Sequence, residues 1–150
     1  RLNQQRRKVM GLDQHANLRG EQIDWKKYYS DDNDQENNFF VWRKHARLQQ
    51  FMAKKWAEQN PAENIEGHLA HLGFNGDQEA PCYMTEEVVK DLAEAIQTDF
   101  KDYHAEDGFF WGQQFQEESV KEYKEQDIKF LKFCEQAINE KKVVEYWCSW

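Results

Sequence analysis

Four stretches of the chain hold residue types that could do chemistry. Asp13 and His15 lie two apart, so in a strand they share one face as a candidate acid and base. Trp42-Arg43-Lys44-His45 gathers two cations and an imidazole, a set suited to an anion or a buried carboxylate. Asp127 stands inside an otherwise apolar stripe, where it needs a cation or hydrogen-bond donors, and Arg43 or Lys44 is expected to supply them. In Gly108-Phe109-Phe110-Trp111-Gly112, three adjacent large aromatics cannot all face one side of a strand, so one or two must face another layer, a pocket or a partner.

These residues support two readings. Trp42, Arg43, Phe110 and Trp111 would form a protein-binding surface, since the strongest contacts at interfaces are usually buried aromatics and Arg. Asp13, Arg43, Lys44, His45 and Asp127 would instead form a polar pocket for a small anionic ligand or nucleotide, because convergent site residues come from separate segments. Other patterns stop short of a site. The acidic run from Asp31 lacks the glycine at six and the glutamate at twelve of a calcium loop. His68 and His71 form HxxH without further ligands for zinc. No activated nucleophile or phosphate-cradling glycine loop completes a mechanism, so the reading leans away from catalysis and includes no cofactor or metal.

The 150 residues suit one domain with a single core, and 39% hydrophobic, 15% aromatic and 32% charged residues describe a soluble globular chain. Arg1, Arg6, Arg7 and Lys8 make residues 1–9 a basic extension, with Met10 a plausible natural start of a domain over 10–150. Removing those four cations takes the net charge from −8 to −12. So acidic a body repels phosphate and argues against nucleic acid as a partner. Cys82, Cys134 and Cys148 are an odd, unpatterned set that fits free thiols in a reducing cytoplasm. No apolar run is long enough to span a membrane, and residues 1–9 lack a signal-peptide core.

The elements that must position these residues follow from periodicity. A first strand is expected over Leu12 to Arg19, ended by Gly20, and a helix from about Phe39 to Gln59 on the stripe Val41, His45, Leu48, Met52, Trp56. A short strand over Pro81 to Met84 precedes a helix capped by Thr85, with the stripe Val88, Leu92, Ile96, Phe100, Tyr103. A last helix from about Glu117 to Asn139 carries Val120, Tyr123, Asp127, Leu131, Cys134 and Ile138. A closing strand sends Val144, Tyr146 and Cys148 to one face and Glu145 and Trp147 to the other. The fold class is therefore α+β, a mostly antiparallel sheet of four or five short strands near residues 12, 82, 110 and 146, covered on one face by about three helices.

Met10 to Ala16, Trp42 to His45, Gly108 to Gly112, Tyr123 to Leu131 and Tyr146 to Trp150 carry a resemblance. In their order and spacing they are similar to a family of small proteins encoded by tailed bacteriophages, well represented among marine and cyanobacterial phages. Its members open with Met-Gly-Leu-Asp and carry Trp-Arg-Lys-His, a Gly-Phe-Phe-Phe-Gly turn and a Tyr-x-Ser-Trp-like end. The chain departs from this pattern at His15, at Trp111 and within Ala46 to Gln49. The resemblance implies a phage origin and brings no established activity. With the acidic body and surplus aromatics, the expectation is a non-catalytic accessory protein in the cytoplasm of the infected host cell. It would bind and modulate a host or phage macromolecule, in the first place a protein; the alternative is a minor virion component. A phosphoglycerate kinase label borne by some members does not fit so short a chain.

Overall fold

The structure, a computed structural model, describes residues 12–29, 38–60, 81–103 and 113–149. Among these the chain runs β1 (Asp13–Leu18), α1 (Trp25–Tyr28), β2 (Phe39–Arg43), α2 (Ala46–Gln59), β3 (Cys82–Tyr83), α3 (Glu86–Gln97), α4 (Gln113–Glu122), α5 (Lys124–Asn139) and β4 (Val144–Ser149). The fold is α+β, with one antiparallel sheet in the order β2-β1-β4-β3. The first and last of these strands pair at its centre, from Asp13 opposite Ser149 to Leu18 opposite Val144.

Strand alternation sorts the two faces as expected. Gln14, Ala16, Trp42, Cys82, Val144, Tyr146 and Cys148 share the face under the long helices, and all are buried. Trp42 packs edge-on against Phe130 of α5 with centroids 5.0 Å apart, and Phe51 and Met52 of α2 and Leu92 of α3 complete the core. Burying each such side chain is worth about 1.5–3 kcal/mol. The opposite face carries Asp13, His15, Asn17, Phe39, Val41, Arg43, Glu145 and Trp147.

The Thr85 cap forms as expected: its Oγ1 accepts from the Val88 N–H at 3.3 Å, with Glu86 and Glu87 in the first turn. Val88, Leu92, Ile96 and Phe100 are buried, and Tyr103 packs against them from the edge of the core.

The helix expected from about Phe39 to Gln59 begins instead at Ala46. Phe39-Phe40-Val41-Trp42 are aromatic and β-branched types that favour strands, and β1 supplies their partners from Asn17 opposite Phe39 to Asp13 opposite Arg43. Lys44, at φ +56°, turns the chain, and His45 stands at the N-cap of α2. Leu48, Met52 and Trp56 do share a buried face, but Val41 and His45 match that spacing only by coincidence. The last helix is divided as well, α4 and α5 meeting at Tyr123. The bonds from Tyr123 N–H to Ser119 O and from Asp127 N–H to Tyr123 O carry the ladder across the break. The strand expected near residue 110 lies outside the described residues, as do Phe110, Trp111, His68, His71 and residues 1–9. The fourth described strand is β2.

Side chains from the helices close both sheet edges. In β2 the Arg43 N–H and the Val41 carbonyl point away from β1. The first donates to Tyr123 Oη (2.9 Å), and the second accepts from Gln126 Nε2 (2.7 Å). Beyond β3, the Gln59 side-chain amide takes the place of a neighbouring strand: Oε1 accepts from the Tyr83 N–H (3.0 Å) and Nε2 donates to the Tyr83 carbonyl (2.8 Å). Edge groups satisfied in this way are poor templates for a further strand.

Candidate functional site

Two constellations of polar and aromatic side chains lie on opposite faces of the sheet. On the helix side, Asp127 of α5 accepts from Trp42 Nε1 at 2.9 Å and pairs with His45 Nε2 at 2.8 Å. A carboxylate accepts, so His45 Nε2 is the donor, and His45 Nδ1 is buried without a partner. The His45 backbone N–H donates to Gln14 Oε1 (2.9 Å), and Gln14 Nε2 donates to the His45 carbonyl (3.1 Å) and to Tyr146 Oη (2.9 Å). Tyr146 Oη in turn donates to Gln49 Oε1 at 2.6 Å, and Gln49 Nε2 reaches Cys148 Sγ at 3.3 Å. Burial pushes the Tyr146 hydroxyl well above the ordinary tyrosine range, so it stays a donor.

An Asp–His pair has the form of the orienting half of a general base. Here the His45 ring is fully buried, stacked on Tyr123 with centroids 5.5 Å apart and set edge-on to Phe100. No substrate atom can reach it in this arrangement. Its work is to tie the β2–α2 turn to α5.

The outer face is open in part. Arg43 lies opposite Asp13 in the ladder and forms an ion pair with it, Nε to Oδ1 3.3 Å. His15 stacks on Trp147 at 4.2 Å between centroids and meets Trp25 edge-on at 5.7 Å. Trp147 Nε1 donates to Asn17 Oδ1 at 2.8 Å, which fixes the indole against the sheet. Burial lowers the His15 pKa to about 4, outweighing the upward pull of Asp13, while Arg43 adds to the decrease. His15 is therefore neutral at pH 7. The helix α1, capped by Asp24 on the Lys27 N–H, rests on this row through Trp25 on His15 and Tyr28 on Phe39. Its outer side shows Trp25, Tyr28 and Tyr29, which are 42%, 38% and 74% exposed.

The residues singled out in the sequence thus fall into two groups that the sheet separates. Asp13 and Arg43 meet on the outer face beside His15, whereas Trp42, His45 and Asp127 meet inside. Asp127 receives its donors from Trp42 and His45, not from Arg43 or Lys44, because alternation along β2 turns Trp42 inward and Arg43 outward. For the same reason Trp42, expected at a binding surface, is fully buried. Lys44 is exposed, and its backbone bonds to Leu12 O and Ser119 Oγ. Gln14, Gln49, Tyr146 and the α1 aromatics were not anticipated as a network or a surface. The signal for the two glutamines was present, since each is polar at a position that periodicity turns inward. Among the described residues no three His, Cys, Asp or Glu side chains are placed to hold a metal ion, and no helix is long and apolar enough to cross a membrane. In comparisons with known proteins, no family, curated protein or solved structure matches this chain.

Proposed function

We propose that this chain is a non-catalytic, phage-encoded accessory protein of the infected cell that binds a host or phage protein through α1 and the adjoining outer face of the sheet. The observation that carries this reading is the exposed trio Trp25, Tyr28 and Tyr29, of which Trp25 is seated on His15 and Tyr28 on Phe39, with Tyr29 against the rings of both. Rigidly seated aromatics lose little entropy on binding and dominate interface energetics. The Asp13–Arg43 pair beside them supplies a polar margin. Closed sheet edges disfavour recognition by strand addition, and the buried Asp127 network offers no reactive group to solvent. A chain of net charge −8 favours a partner with a basic face, whose Arg and Lys side chains would also find the exposed rings.

The test is capture of partners by the tagged chain in infected cells beside a Trp25→Ser, Tyr29→Ser variant, read by mass spectrometry. One basic protein enriched with the parent and lost with a variant of unchanged unfolding midpoint is the expected result. Recovery of the same partner with the folded variant would move the interface elsewhere, and recovery of none would overturn the reading.

A further inference from the structure

We infer that the depression where α2 begins, α3 ends and α4 meets α5 binds a small molecule through an oxyanion, a phosphate or carboxylate group. It encloses about 510 Å³ and is lined by Arg47, Asp99, Glu117, Val120, Lys121 and Lys124. That volume falls within the range of small-ligand sites. In an acidic chain, three cations converge on it.

Their existing bonds show which of them is spoken for. Lys124 Nζ donates to Asp99 Oδ1 (2.7 Å) and to the Ile96 carbonyl (2.8 Å), so it neutralises the nearer carboxylate and closes the end of α3. Arg47 Nη1 donates to the Asp99 carbonyl at 3.2 Å. Arg47 Nε, by contrast, is buried and has no hydrogen-bond partner. An unpaired guanidinium N–H is among the costlier groups to leave buried, and the guanidinium edge that carries Nε clasps carboxylate or phosphate with two parallel bonds. Arg47 lines the depression, and Lys121 stands exposed at its rim.

The backbone beneath is unusual in the same place. Asp99 and Phe100 both adopt left-handed φ values, +56° and +55°, as does Lys44. Phe100 touches His45, and Lys44 O is held by Ser119 Oγ of α4. Strained non-glycine residues persist where the surroundings hold them and gather at ligand sites. The Glu117 carboxylate opposes a polyanion but can accept from an amine or hydroxyl. The ligand class is therefore a small molecule with one oxyanion and a neighbouring donor, not a nucleic acid backbone.

The experiment is an amide-resolved NMR titration of the full chain with sodium phosphate and, separately, sodium acetate, against sodium chloride at equal ionic strength. Lys121→Gln and Arg47→Lys are titrated alongside. Saturable shifts confined to Arg47, Thr98 to Phe100 and Glu117 to Lys124 are expected with at least one oxyanion, and which of the two saturates assigns phosphate or carboxylate. Arg47→Lys keeps the charge and loses the paired donors, so binding should weaken about 10-fold or more; Lys121→Gln should weaken it several-fold. Should Arg47→Lys fail to fold, Lys121→Gln decides, since it leaves both bonds that close α3 in place. Shifts that match chloride, that scatter over the surface, or that persist unchanged in Lys121→Gln would overturn the proposal.

Discussion

Asp127 is buried with two donors aimed at it, Trp42 and His45, and this sets the sign and size of its substitutions. Asp127→Leu strands both N–H groups and is expected to cost about 3–5 kcal/mol, whereas Asp127→Asn keeps one acceptor and costs less. Equilibrium urea unfolding followed by tryptophan fluorescence measures both. His15 is the second residue with a definite expectation. Its folded pKa of about 4 lies below the ordinary 6.5, so as pH falls the unfolded chain takes up the proton first. The contribution of His15 to stability is complete above pH 6.5 and is lost as pH falls to about 4, by about 3 kcal/mol at 1.36 kcal/mol per pH unit. Asp13 and Arg43 sit beside it in both parent and variant. The unfolding free energy of the parent relative to that of His15→Phe should therefore fall over that window, and a constant difference would contradict the burial argument.

At the scale of elements, the β3 edge closure depends on one side chain, Gln59, and the β2 closure on two, Tyr123 and Gln126. Gln59→Leu removes both bonds to the Tyr83 backbone and leaves an open strand edge, at an expected cost of about 1–3 kcal/mol. Light scattering over a concentration series should then show more association than the parent under the same conditions. Thr85→Ala tests the start of α3 and should cost about 1 kcal/mol with no change in association. The contrast between these two variants separates loss of local stability from loss of edge protection. Tyr123 serves both purposes, since its hydroxyl closes β2 while its ring covers His45.

For the whole molecule, the net charge of −8 sets the long-range behaviour. Self-repulsion destabilises the folded state, and salt screens it. The urea midpoint is expected to rise between 10 and 200 mM sodium chloride, as the Debye length falls from about 30 Å to below about 8 Å. Binding of a basic partner should weaken over the same range, because its attraction to the acidic body is screened too. Stability and affinity moving in opposite directions with salt would separate the two effects. Among the described residues the interior is closed by the Gln14–Tyr146–Gln49 chain and the edges are bonded by Gln59, Gln126 and Tyr123, and the two surfaces proposed for recognition are the α1 face and the depression beside Arg47.

Features that depend on neighbours in sequence were legible from the residues alone. The alternation of β1 and β4, the Thr85 cap, the α3 stripe and the need of Asp127 for donors follow from spacings of two to four residues, and each stands in the structure. Residues 39–43 read in sequence as the start of a helix, because a coincidental helical spacing overlaps an aromatic, β-branched run there. Pairing with β1 decided for a strand. The identity of the Asp127 donors came with that decision, since the pleat turns Trp42 inward and Arg43 outward. The polar chain joins residues as far as 132 apart, Gln14 to Tyr146, and the Trp42–Asp127 bond spans 85. No periodicity reaches across such separations. Only the packing of helices on a sheet brings those donors and acceptors together, and the cost of leaving any of them unpaired inside the protein holds the arrangement in place.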